Sequence, residues 1–177
     1  MQTLRSLALT LTLSCLASTA CDGRRAACVG PRSDVEFIDA MVPHHWMAVE
    51  MSRRELADGV DAGARKLAQG IVDAQIAEIA QMKAVRAELT GSDAVPEGHD
   101  PRLEADMQAL SAVSGAALDR LFVADMLPHH AGAITMSHEA LPHLKRADLR
   151  ALAEKIIRAQ AAEIGALGAM LGPAGGS

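Results

Sequence analysis

Two pairs of adjacent histidines, His44-His45 and His129-His130, are bracketed by methionines: Met41, Met47 and Met51 around the first pair, Met126 and Met136 around the second. Imidazole nitrogen and thioether sulfur are ligands for soft or borderline metal ions. Cu(I) takes thioether sulfur readily and Ag(I) behaves alike, whereas Mg²⁺ and Ca²⁺ require oxygen. On a helix, residues three or four apart lie side by side, which groups Met41 with His45, His44 with Met47, and Met47 with Met51. Two adjacent histidines instead diverge by about 100° and do not chelate one ion together. One ring of each pair can then bind metal while its neighbour hydrogen-bonds an amide or carboxylate such as Gln75 or Glu78, as partners behind metal ligands do.

The elements that position these side chains repeat. Phe37-Ile-Asp-Ala-Met-Val-Pro-His-His45 matches Phe122-Val-Ala-Asp-Met-Leu-Pro-His-His130, 85 positions on, and the register continues through Ala48 with Ala133, Met51 with Met136 and Ser52 with Ser137. Ile71 to Ile79 and Ile156 to Ile164 pair at the same offset, including Gln75 with Gln160 and Glu78 with Glu163. Each unit reads as a helical hairpin, and two hairpins with one apolar stripe apiece bury those stripes against each other. The predicted helices cover roughly 34–57, 63–89, 116–141 and 147–171, with a short helix near 102–112; Ser33 or Asp34 caps the first, and Asp58-Gly59, Pro142 and Gly172-Pro173 mark stops. The expected class is all-α: a four-helix bundle of two repeated hairpins over 34–173, with repeat one at 34–89, a linker and short helix at 90–115, repeat two at 116–171, and a tail at 174–177.

On a wheel of about 100° per residue, Phe37, Met41, His44, His45, Ala48, Met51 and Ser52 share one arc, and so do Phe122, Met126, His129, His130, Ala133, Met136 and Ser137. Met47 sits at the edge, while Trp46 and His138 point away. The second helix places Leu67, Ile71, Ala74, Gln75, Glu78, Met82, Val85 and Leu89 on one face, and Glu163 lies among Ile156, Ala159, Gln160, Leu167 and Met170. A buried carboxylate is costly unless paired or bound to metal. Glu78 is therefore expected to meet His44 or His45, and Glu163 to meet His129 or His130. Met82, Met107 and Met170 read as core filler, His99 as a loop residue, and His138 and His143 as helix-end or surface residues. Pro43 and Pro128 either kink their helices just before each His pair or open a new helix there.

The composition, 50% hydrophobic but only 2% aromatic, favours packed helices over sheets. A net charge of −5 without a basic patch excludes nucleic acid as a partner. Arg5 followed by the uncharged run Leu7 to Ala20 reads as a signal segment, too short to span a bilayer. Ala20-Cys21 resembles a bacterial lipobox, which makes Cys21 the lipidation candidate, although Ser18 stands where Leu is usual. Ser18-Thr19-Ala20 also fits ordinary cleavage, in which case Cys21 and Cys28 can close a small loop in an oxidising compartment. Either way residues 1–20 are a signal, 21–33 a flexible tether, and the mature chain is expected outside the cytoplasm, in the periplasm or cell envelope.

The doubled Phe-x3-Met-x-Pro-His-His-x2-Ala-x2-Met pattern, each copy followed by Gln-x2-Glu on the next helix, resembles the domain of unknown function 305 family over residues 34–171. The resemblance implies a ferritin-like four-helix bundle in an exported bacterial protein, and a family that includes periplasmic copper-binding proteins. By matching position it implies Met41, His44, His45, Met47, Met51, Met126, His129, His130 and Met136 as metal ligands, with Gln75, Glu78, Gln160 and Glu163 behind them. Gly132 stands where the first repeat has Met47, a departure from the richest members. The expected function is copper buffering or sequestration, as Cu(I) or Cu(II), by a binding protein and not an enzyme; no nucleophile triad is evident. The partners expected are a metal ion and, through the lipid, a membrane, and such a bundle is compatible with a homo-oligomer. The competing classes are a carboxylate-bridged di-metal oxidase, which requires more inward carboxylates than are present, and a structural bundle in which His–Glu pairs only set helix register.

Overall fold

Five helices form in the order α1 (Asp34–Asp58), α2 (Ala62–Thr90), α3 (Pro101–Ser111), α4 (Ala116–Ala140) and α5 (Ala147–Met170) in the computed structural model, which describes residues 30–96 and 101–171. The signal segment, Cys21, Cys28, His99 and the tail from Gly172 lie outside the described residues. Ser33 caps α1 by accepting from the Glu36 N–H, with Asp34 and Glu36 in the positive first turn. Asp61 caps α2 by accepting from the Ala64 N–H at 2.8 Å. Gly91 ends α2 in the left-handed region at φ 80°, which glycine enters without steric cost. None of the helices is long and apolar enough to cross a membrane among the described residues.

α1 packs chiefly on α2, and α4 on α5; α1 against α4 joins the two hairpins. The joints obey the 85-residue offset. Asp119 at the start of α4 accepts from the Val60 N–H at 2.8 Å, and its counterpart Asp34 at the start of α1 accepts from the Lys145 N–H at 2.9 Å. Arg65 donates to the Gly59 carbonyl and Arg150 to the Leu144 carbonyl, closing the two hairpin turns. Each hairpin is thus pinned by a carboxylate from the other. None of these four residues is inward-facing chemistry, and only their shared offset marks them in the sequence.

The inward stripes are buried as expected for Phe37, Met41, His45, Ala48, Met51, Ile71, Met82, Phe122, Met126, His130, Ala133 and Ile156. His44, His129 and Met136 are half-buried, and two further positions are exposed. Leu89 is 42% exposed, because the last turn of α2 stands level with the first residues of α1, where no helix covers it. Met170 is 39% exposed: it is the last residue of α5, and its Cε methyl lies near Gly63 at the start of α2.

One polar contact at the α1–α4 joint has no counterpart in the other half. Glu55, fully buried near the end of α1, faces Asp119, and the equivalent position on α4 is Ala140. A side chain at Gly59 would collide with the Glu55 carboxyl. Burial, then contact with Asp119, pushes the Glu55 carboxyl up from 4.5 to about 7. Burial also opposes ionisation of Asp119, but the N–H groups of Asp61 and Val60 and the Glu55 carboxyl outweigh it and hold Asp119 low. Below 4.5 Glu55 is protonated in both states. Between 4.5 and about 7 only the folded chain holds the proton, so stability falls as pH rises through that window. Urea unfolding across it is expected to show that loss, and Glu55→Gln to flatten the profile and to be the more stable protein above pH 7. An unchanged slope in the variant would assign the dependence elsewhere.

Candidate metal centre

α1 and α4 run unbroken through Pro43 and Pro128, so neither proline opens a separate helix. Each removes a bond to the carbonyl four residues back, at Asp39 and Ala124. Tertiary packing therefore sustains both helices at the turn that presents the histidines.

The two rings of each adjacent pair diverge, with centroids 6.5 Å apart in the first pair and 6.2 Å in the second. His45 and His130 turn toward their own hairpin partners. His45 Nε2 donates to Glu78 Oε2 at 2.9 Å, and His130 Nε2 donates to Glu163 Oε2 at 2.8 Å. Glu78 is more enclosed and also receives Lys155 Nζ at 3.2 Å on its other oxygen; the position equivalent to Lys155 is Gly70. Burial opposes ionisation of Glu78, but the bonds from His45 and Lys155 outweigh it and lower its pKa. An ionised carboxylate only accepts, so the His45 proton sits on Nε2 and, in the neutral ring, Nδ1 carries the lone pair.

His44 and His129 meet each other across the joint between hairpins, ring centroids 3.9 Å apart and tilted by 40°. Burial first, and then the neighbouring imidazoles, lower the His44 pKa to about 3, and the same causes hold His129 well below 6.5. Both are neutral imidazoles at physiological pH, the state in which histidine binds metal.

Thioethers flank this polar layer on both sides. Met41 and Met82, with half-buried Met136 against them, belong to one apolar cluster; Met51 and Met126, with half-buried Met47 and Met107, belong to the other. Trp46 and His138 are exposed. Gln75 and Gln160 are 2% and 3% exposed, and neither amide makes a hydrogen bond. The buried polar atoms without a hydrogen-bond partner near the centre are Nδ1 of His44, His45, His129 and His130, Nε2 of His129, both amide ends of Gln75 and Gln160, and the Ser52 and Ser137 hydroxyls. A buried polar group left unpaired costs about 1–3 kcal/mol, and nitrogen lone pairs beside thioethers are a donor set that fits a soft cation. Among the described residues, no three His, Cys, Asp or Glu side chains converge so as to hold a metal ion by themselves. The inward carboxylates Glu78 and Glu163 are committed to histidine instead.

The nine expected ligands are thus divided among the histidines between the helices and two apolar clusters, Met41 and Met136 in one and Met47, Met51 and Met126 in the other, with His44, His129, Met47 and Met136 half-buried. Sequence reasoning did not find Lys155, Glu55 or Asp119, and it offered Asp34 only as a helix cap, a place Ser33 takes while Asp34 accepts from the Lys145 N–H. The 85-residue register was the available signal for the Asp34–Asp119 pair, whereas Lys155 and Glu55 have no repeat mate of their own kind.

The family model described as domain of unknown function (DUF305) matches residues 17–86 and 91–171. CopM in the Cu(II)-bound form is 30% identical, covers 78% of this chain and 95% of its own, and superposes with a TM-score of 0.70. CopM in the Cu(I)-bound and Ag-bound forms superposes with TM-scores of 0.70 and 0.68. A DUF305 fragment from Deinococcus radiodurans is 27% identical, covers 81% of this chain and 97% of its own, with a TM-score of 0.71. No curated protein sequence matches.

Removing one partner of a buried pair leaves the other uncompensated. Glu78→Ala is expected to cost about 3 kcal/mol in urea unfolding, and Glu163→Ala clearly less, because the Glu163 side chain is 21% exposed against 5% for Glu78 and water can replace it. Equal losses would contradict the asymmetry.

Proposed function

The chain belongs to the DUF305 family, and from that premise we propose that it is an exported protein that binds a soft metal ion, copper as Cu(I) or Cu(II), and buffers or sequesters it at the cell envelope. The observation that carries this reading is the stacked His44–His129 pair: two neutral, desolvated imidazoles whose Nδ1 atoms, and His129 Nε2, have no partner, set between two groups of methionines. The copper- and silver-bound forms of CopM support it as relatives of the same fold.

His44 and His129 would hold the ion together with thioethers from Met41 and Met136 on one side or Met51, Met126 and Met47 on the other. His45 and His130 have a second role open to them. With Nε2 held by a glutamate, each ring is fixed in orientation and its Nδ1 made more basic, as a carboxylate behind a metal-bound histidine does. Gln75 and Gln160 offer amide oxygens to the same layer. The bound cation supplies the electrostatic partner that the buried lone pairs lack; the bundle supplies exclusion of water and of hard, oxygen-seeking ions. The reading is of a binding protein and not an enzyme, tethered through Cys21 where that residue is lipidated.

Purified mature protein is expected to bind Ag(I) or Cu(I) in calorimetry and to unfold at a temperature that rises with metal concentration. The double variant His44→Gln with His129→Gln should lose more than the roughly 10- to 100-fold in affinity that loss of an outer partner costs, while staying helical by circular dichroism. No binding by the intact protein would remove the copper reading, and full binding by the double variant would move the site away from the stacked pair.

A further inference from the structure

The offset that relates the hairpins creates two equivalent grooves between α1 and α4, one on each side of the histidine layer, and the chain treats them differently. One is closed. Leu110 from α3 is fully buried in the cluster that holds Met51 and Met126, and Arg54 on α1 donates to the carbonyls of Leu110 and Val113, fastening that segment down. Met47 adds its own side chain on this face. The other groove is an open cleft of about 550 Å³, lined by Ala40 and Glu36 of α1, by Gly132, Thr135, Met136 and Glu139 of α4, and by Gly30 and Pro31.

Gly132 is the residue that repeats Met47, and it forms part of the cleft wall. A Cβ there would sit 3.3 Å from His44 Nε2. The His44 ring therefore packs closely behind the glycine, with Nε2 toward the wall and Nδ1 buried. Met136, half-buried against the Met41 cluster, forms part of the wall. Two carboxylates, Glu36 and Glu139, stand among the lining residues, and no lysine or arginine is among them.

We propose that this cleft is the path by which metal reaches the buried histidine layer: Glu36 and Glu139 concentrate the cation, Met136 offers the first thioether, and His44 Nε2 above Gly132 is the first nitrogen it meets. This rests on the metal-binding reading above and adds a direction to it, since among the described residues α3 covers the groove beside Met51 and Met126 while the groove beside Gly132 forms a cleft. A cleft lined by charge of one sign raises the local concentration and arrival rate of its counter-ion. Gly132 is then a gate position, kept without a side chain although glycine weakens a helix interior.

The test is the rate at which the mature protein takes Cu(I) from its coloured bicinchoninate complex, together with the amount taken at equilibrium. Gly132→Leu should slow uptake by roughly tenfold, the effect of about 1.4 kcal/mol added to a barrier, with the equilibrium amount unchanged. Gly132→Ala, which favours the helix and covers Nε2 with one methyl group, should fall between; it decides the matter if the leucine variant does not fold. Glu36→Gln with Glu139→Gln should slow uptake at low ionic strength and lose its difference from wild type in high salt. Unchanged rates in the glycine variants overturn the cleft and leave the binding reading standing, whereas a wild-type protein that takes no Cu(I) overturns both.

Discussion

Four imidazoles lie in a bundle whose core is otherwise mainly aliphatic, thioether and phenyl, and much of the arrangement around them follows from what buried nitrogen requires. A buried imidazole needs a partner for its N–H, for its lone pair, or for both. His45 and His130, both fully buried, answer half of that demand within their own hairpins by donating to Glu78 and Glu163. His44 and His129 are half-buried between the hairpins. They face each other across the joint, where neither can ionise without facing the other. The chain thus concentrates its unmet polar demand at one place, between the hairpins, and it flanks that place with sulfur.

The two halves share a plan and have specialised away from it. Three differences stand out in physical effect. Lys155 neutralises Glu78, while Gly70 leaves Glu163 without an equivalent. Glu55 places a carboxyl against Asp119, while Ala140 leaves Asp34 with backbone partners alone. Met47 fills one groove, while Gly132 leaves the other open. The glutamate of the first hairpin is thereby tied to the second hairpin through Lys155, while the cleft beside Gly132 lies on the second hairpin's side of the joint. Divergence of this kind turns a symmetric container into one with a closed side and an open side.

Polar groups at the ends of the bundle serve a different purpose from those at its centre. Asp34 and Asp119 reach across to the opposite hairpin's turn, and Arg65 and Arg150 lock their own turns through backbone carbonyls. These contacts are satisfied within the protein and fix how the hairpins dock. The central layer is left short of partners, so a cation bound there gains interactions without the scaffold having to surrender any.

The pattern of residues alone determined the helices, the hairpin repeat and the stripe on which Phe37, Met41, His45, Met51 and their counterparts are buried, because helical periodicity and an 85-residue register are local, additive properties of the chain. It also narrowed the partner of Glu78 to two adjacent histidines. Tertiary structure decided between them: His45, not His44, reaches Glu78, because neighbouring rings diverge and only one can face the hairpin partner. Only docking of the hairpins brought His44 onto His129, set Glu55 against Asp119, laid α3 over one groove and packed His44 against Gly132 beside the other. Those contacts join residues about 60 to 90 positions apart, and no periodicity within one helix encodes which face of another it will meet.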